Sequence, residues 1–147
     1  MDIHLAYTSV AATGFQEDQL TQILQQSRVY NGNVGIAGVL LYVRDSFIQV
    51  LEGEKEAVEA LFGRIRQDVR HTDVTLLLNR PVAECVFSDW AMGYTTLTEH
   101  QIDEIQSILN LDYCGRATVE RNDHLVFKML KIFYENNRHN VSLTPPY

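Results

Sequence analysis

Ile36-Ala37-Gly38-Val39-Leu40-Leu41-Tyr42-Val43, then Arg44-Asp45-Ser46, then Phe47-Ile48-Gln49-Val50-Leu51-Glu52-Gly53 is the stretch that decides the fold. Two apolar runs rich in β-branched and aromatic residues flank three polar residues, a pattern that predicts a β-hairpin with strands at 36–43 and 47–51, stopped by Gly53. The first run is apolar on both parities. Such a strand is buried on both faces, so its sheet needs cover on both sides.

Outward from the hairpin the periodicity changes twice upstream and three times downstream. Upstream, Ile3–Val10 reads as a strand. Glu17–Tyr30 reads as a helix through Leu20, Ile23 and Leu24, with Ser27 next on that face. Downstream, Glu54–Asp68 is an amphipathic helix with Val58, Leu61, Phe62, Ile65 and Val69 on one stripe. Glu54, Glu56 and Glu59 stand at its start and Arg64, Arg66 and Arg70 at its end, as the helix dipole favours. Val74–Asn79 and Cys85–Tyr94 are two more strands, with Pro81 between them. The remaining pattern is helical: Glu99–Leu109, then roughly Asp123–Tyr134. The order β-α-β-β-α-β-β followed by α-α is an α+β chain, a ferredoxin-like sandwich with one added strand. The first two helices cover one sheet face, and the two C-terminal helices are the available cap for the other. One compact unit is expected.

Composition narrows the function. The chain has 147 residues, 46% hydrophobic, with 12 Lys plus Arg against 19 Asp plus Glu, a net charge of −7. A domain of this size buries about 68–70% of its unfolded surface, enough for a core without disulfides or metal. A binding domain of ordinary size would fill most of it, so no separate catalytic domain is expected. The acidic balance disfavours nucleic acid and anionic membrane. Met1–Ser9 has no signal-peptide character and no apolar run is long enough to span a bilayer, so a cytoplasmic location is expected. Cys85 and Cys114 form no C-x-x-C pair and read as buried free thiols. The histidines at 4, 71, 100, 124 and 139 lack metal-ligand spacing, so no metal site is expected.

A few residues fit a plain core poorly. Strand alternation puts Leu5, Tyr7 and Ser9 on one face, with Phe47, Gln49 and Leu51, and with Ser88, Trp90, Met92 and Tyr94. Gln49 is costly there unless its amide is hydrogen-bonded. Periodicity alone favours an edge strand with Gln49 turned to water; the alternative is that Tyr7 and Gln49 face a polar ligand together. Asn31, just beyond the first helix, reads as a C-cap beside Gly32. Gly32, Gly35 and Gly38 lie between a helix and a strand, the reverse of a dinucleotide fingerprint. Arg64, Asp68 and His71 read as a solvated helix end. Ile23 and Ile65 read as core, or as jaws around a flat ring. No nucleophile-base or paired-carboxylate arrangement stands out, so an enzyme is not expected.

Together these residues resemble the BLUF family of flavin-binding blue-light sensors. The resemblance runs from about Ile3 to Tyr94. It rests on Tyr7-Thr8-Ser9, Ser27-Arg28 with Asn31, the stretch Gly35–Tyr42, Phe47–Gly53, Arg64-Ile65 with Asp68 and Arg70-His71, and Trp90-Ala91-Met92. It implies a light-sensing domain over 1–96 and a helical cap over 97–147 like the tail of short family members. It implies FAD, with Ile23 and Ile65 against the ring. Tyr7 matches the electron and proton donor, and Gln49 the amide between that phenol and the ring. Asn31 matches the residue at the carbonyl edge. Ser27, Arg28, Arg64, Asp68 and His71 complete the implied cofactor contacts, mostly toward the ribityl and phosphate end. Trp90 and Met92 match a last-strand pair that exchanges places beside the glutamine. The implied output is contact with a downstream protein, of a transcriptional or second-messenger kind, and a homo-oligomer.

Three positions depart from the family pattern: Tyr30 replaces a common Asn or His, Ala37 a common Thr, and Asp45-Ser46 lacks the hairpin Gly. Two other classes suit the fold: a dimeric α+β-barrel oxygenase without cofactor, and a regulatory module binding a small metabolite. The oxygenase would use Trp90, Asn31 and a Tyr around a small aromatic substrate and would purify colourless, but it offers no clear base; the regulatory module does not explain the Tyr7, Gln49 and Trp90 set.

Overall fold

The computed structural model of the chain describes residues 1–43, 45–85, 87, 93–110, 125–126, 128–129, 131–132 and 135–136. Its elements run β1 (Asp2–Ala11), α1 (Glu17–Val34), β2 (Ala37–Val43), β3 (Ser46–Glu54), α2 (Lys55–Arg66), β4 (His71–Pro81), β5 (Gly93–Thr96) and α3 (Glu99–Asn110). The five strands form one sheet in the order β4-β1-β3-β2-β5. Among the described residues only the β2–β5 pair is parallel. This is the ferredoxin-like order with one strand added beyond β2.

Strand parity divides the core as expected. Ile3, Leu5 and Tyr7 of β1, Leu40 of β2 and Phe47 and Leu51 of β3 pack with Leu20 and Leu24 of α1 and Val58 and Phe62 of α2. Ala6, Val39, Leu41, Ile48 and Val50 point the other way, onto Ile105 of α3 and onto Leu125, Met129 and Ile132. The doubly apolar β2 is therefore covered on both faces. Gln101 of α3 and Asn136 exchange two amide hydrogen bonds at 2.8 and 3.1 Å, and Lys128 pairs with Glu104 at 2.5 Å. These polar contacts tie α3 to Lys128 and Asn136 beside the apolar ones.

Gly35 and Gly38 bear most directly on this frame. Gly35 caps α1 in the left-handed conformation (φ 73°) and sends its N–H back to the Asn31 carbonyl. At Gly38 a Cβ would lie 2.1 Å from the Val50 carbonyl oxygen, so the β2–β3 contact excludes any side chain there. The hairpin turn manages without glycine because Asp45 itself takes φ 67°, which Asp tolerates better than most residues.

Several expectations are corrected. Gln49 is not on an edge: β3 lies between β1 and β2, and Gln49 is buried. Asn31 is not beyond α1 but inside its last turn, also buried, because the helix continues to Val34. β3 passes through Gly53 to Glu54. Val69 leaves the α2 stripe and is 86% exposed, since the helix ends at Arg66. Cys85 is exposed rather than buried, and its thiol is pushed up to about 11, first by its hydrogen bond to the Asp2 carboxylate. Cys114, Trp90, Met92, most of the expected 85–94 strand and parts of the 123–134 helix lie outside the described residues.

Candidate functional site

The α1–α2 side of the sheet holds a cleft of about 880 Å³, counting its open mouth. Its floor is the sheet, through Tyr7, Leu40, Phe47 and Gln49. One wall is α1. There Ile23, Gln26, Ser27, Tyr30 and Asn31 follow the i, i+3, i+4, i+7, i+8 spacing that puts residues on one helix face. Leu61, Arg64 and Ile65 of α2 form the other wall, and Asp68, Arg70 and His71 close one end.

The centre of the floor is a pair. Tyr7 and Gln49 face each other across the antiparallel β1–β3 ladder, and the Tyr7 hydroxyl donates to Gln49 Oε1. Both side chains are buried. Burial pushes the Tyr7 phenol well above its ordinary value, and the nearby Asp68 charge adds to the shift. The phenol therefore holds its proton throughout the neutral range.

His71 supports this pair from the side. Its ring stands edge-on to Tyr7 at 6.3 Å between centroids and edge-on to Phe47 at the same separation. Nε2 lies 2.5 Å from the Ile65 carbonyl, which can only accept, so Nε2 carries the proton. Nδ1 then accepts from Ser9 Oγ at 2.8 Å. His71 thus ties β4 to β1 and to the α2 residue Ile65. Both of its nitrogens are engaged within the protein, so it braces the floor of the cleft it lines.

Charge collects at the cleft end. Asp68 takes the Arg70 guanidinium at 2.9 and 2.5 Å and its backbone N–H at 2.9 Å. The side-chain hydrogen bond from Arg70 holds the Asp68 carboxyl below its ordinary value. Arg70 Nη1 also reaches Gln26 Oε1 on α1 at 3.2 Å, joining the cleft end to the α1 wall. Arg64 lies over the Tyr30 ring, 4.5 Å from its centroid, and bridges α2 to α1.

The structure brings Tyr7, Ile23, Ser27, Asn31, Gln49, Arg64, Ile65, Asp68 and His71 into one cleft. Arg28 is the exception: it is half-buried on α1 but does not line the cleft, which its neighbours Ser27 and Asn31 do. Sequence reasoning missed Gln26, Leu40, Phe47, Leu61 and Arg70 as lining residues. Gln26 was findable, being three residues after Ile23 on the same helix face. Arg70 carries no such signal, because it reaches the cleft only through the chain reversal after α2.

The cleft fits a flavin. Half-buried Ile23 and Ile65 offer aliphatic surface from opposite walls, and the buried amides of Gln49 on the floor and Asn31 on the α1 wall offer donors and acceptors. A flat ring with apolar faces and a polar edge needs that combination. Among the described residues, no group of His, Cys, Asp and Glu is arranged to hold a metal, and no helix is long and apolar enough to cross a membrane.

Comparisons with known proteins agree with this geometry. The family model described as BLUF, sensors of blue light using FAD, matches residues 3–93. The beta subunit of a photoactivated adenylate cyclase from Euglena gracilis is 40% identical over 99 residues, 67% of this chain and 11% of that protein. The chain thus spans about a tenth of the length of the curated relatives it matches. Among solved structures, BlsA in its photo-activated state is similar with a TM-score of 0.73 at 30% identity, covering 88% of this chain and 95% of that one. BlrB, a BLUF protein in its dark state, is similar with a TM-score of 0.69 at 27% identity, covering 88% and 96%. With more than half of its length matched by that model, the chain belongs to the BLUF family of flavin-binding blue-light photoreceptors.

Proposed function

We infer that the protein is a cytoplasmic blue-light sensor that binds FAD in the α1–α2 cleft and switches through Tyr7 and Gln49. The observation that carries this reading is the buried hydrogen bond from the Tyr7 phenol to Gln49 Oε1 on the floor of a cleft with aliphatic walls. A bound flavin supplies absorption of blue light and a strong excited-state oxidant. Tyr7 is the residue placed to give up an electron, with its hydroxyl proton already directed at Gln49 Oε1. The Gln49 amide has two chemically different ends. Rotation or tautomerisation replaces the acceptor that faces Tyr7 with a donor, and so changes what the other end offers to a ligand. Ile23 and Ile65 hold the ring, Asn31 meets its edge, and Ser27, Arg64 and Asp68 serve the tail. Trp90 and Met92 are assigned to the switching segment by resemblance.

The output we assign is a change in binding, with no catalytic activity in the chain's own residues. Residues 1–96 form the sensing unit and 97–147 its helical cap. Support comes from Ile105 of α3 and from Leu125, Val126, Met129 and Ile132, which pack on the sheet face opposite the cleft. The receiver would be a downstream protein of transcriptional or second-messenger kind, or a second copy of the chain. FAD and FMN are separated by loading the apoprotein with each in turn and then chromatographing the flavin released on denaturation. Retention of FAD with a reversible spectral response to blue light is expected. Failure to retain either flavin would overturn the reading.

A further inference from the structure

The same β1–β3 ladder carries a second buried polar pair, three residues along from the first. His4 and Glu52 are register partners, as Tyr7 and Gln49 are. An odd offset in a strand reverses the face, so His4 and Glu52 point away from the cleft. Glu52 is 1% exposed and His4 is 5% exposed. His4 Nε2 donates to Glu52 Oε2 at 2.6 Å. The other carboxylate oxygen, Oε1, accepts the backbone N–H of Phe87 at 3.0 Å. Phe87 is fully buried, and its ring packs on the His4 imidazole at 5.7 Å between centroids. The three residues therefore close a triangle.

A carboxylate this deep is unusual unless paired and hydrogen-bonded. Here its partners have a specific address. Phe87 lies in the connection from β4 to β5, on the chain that leads into 88–92. Nothing in the proposed photochemistry uses His4, Glu52 or Phe87.

We propose that His4 and Glu52 form a latch that holds the β4–β5 connection at Phe87, and that switching at Tyr7–Gln49 releases it. The inference rests on the flavin reading for its trigger, but the latch itself stands on the geometry above. Its two arrangements are the Phe87 N–H on Glu52 Oε1 and the same N–H turned to water. Both polar pairs belong to the same two central strands, so a shift of β3 against β1 that accommodates a reoriented Gln49 moves Glu52 with it. A hydrogen bond from a backbone N–H weakens steeply with distance and angle, which makes the Phe87 contact the sensitive point. Glu52 is a positioning residue here, acting on the connection through Phe87.

The test is hydrogen exchange at the Phe87 amide, read by NMR on the full flavin-loaded chain in the dark and under continuous blue light, with the absorption spectrum recorded in parallel. In the wild type the amide should be protected in the dark and exchange at least about tenfold faster in the light, as a local opening does. Glu52→Leu should exchange fast already in the dark, with no further light effect and with the spectral shift retained. Glu52→Gln keeps an acceptor oxygen and should restore most of the dark protection. A normal spectral shift with equal Phe87 exchange in dark and light overturns the coupling. An unprotected Phe87 amide in the dark wild type, or Glu52→Leu exchanging like the wild type, overturns the latch. A wild type with no spectral shift overturns the flavin reading and the trigger with it, while the dark comparison still decides the latch.

Discussion

The Tyr7 hydroxyl donates to Gln49 Oε1 from the position directly opposite it in the β1–β3 ladder. The two side chains are thus placed by backbone register and not by a flexible loop. A phenol with its proton already aimed at an amide oxygen is prepared for coupled electron and proton loss. Tyr7→Phe and Gln49→Leu should each retain flavin, because neither removes an aliphatic wall, and each should lose the reversible red shift. The check is a steady-state spectrum before and during blue light. A normal photocycle in both variants contradicts the roles assigned here.

The walls make a separate prediction. Ile23 and Ile65 line the cleft from α1 and α2. Truncating either to Ala removes three carbons, worth about 2 kcal/mol of apolar contact and so roughly a thirtyfold loss of flavin affinity. Fluorescence titration of the apoprotein with FAD measures it. Arg28→Ala, at a position off the cleft, should leave affinity within about threefold.

The close approach of β2 to β3 can be tested on stability alone. Gly38→Ala forces a Cβ to within 2.1 Å of the Val50 carbonyl oxygen. The expected cost is about 2–4 kcal/mol in urea unfolding. Gly63→Ala, inside α2 with nothing within 4 Å of the new Cβ, should instead stabilise by about 0.5–1 kcal/mol.

The Asp68–Arg70 pair sets a pH dependence. Arg70 lowers the Asp68 pKa in the folded chain from its ordinary 3.8. A depressed carboxylate stabilises the fold above the unfolded pKa and loses that contribution as pH falls through the folded one. The pair is partly exposed, so its contribution is about 0.5–1 kcal/mol. Wild type should therefore exceed Asp68→Asn in stability by a constant margin at neutral pH, and the margin should shrink once pH drops below 3.8. Urea midpoints at neutral and at acid pH check this; a margin that widens on acidification contradicts it.

Much of this architecture was legible in the residues because period and parity report faces directly. Leu5 and Tyr7, Phe47 and Leu51, and the Val58–Phe62 stripe all fall where their spacing puts them. Parity does not report lateral position in a sheet, which is why Gln49 read as an edge residue although β3 has neighbours on both sides. Helix ends were the other gap. Asn31 and Gly32 resembled a terminus, but the left-handed cap is Gly35, so Asn31 stays inside the helix and turns to the cleft. Apart from the resemblance, local spacing showed Arg70 and His71 only as charges at a helix end. Their partners, Ser9, Ile65 and Gln26, come from other elements and leave no mark in local spacing.

The most direct measurement is a dark-minus-light absorption difference spectrum of the wild-type chain loaded with FAD. The expected result is a flavin band that moves to longer wavelength under blue light and returns in the dark, the signature of a changed hydrogen bond at Gln49. A bound flavin whose spectrum stays put, or bleaches without returning, would contradict a switch built on Tyr7 and Gln49.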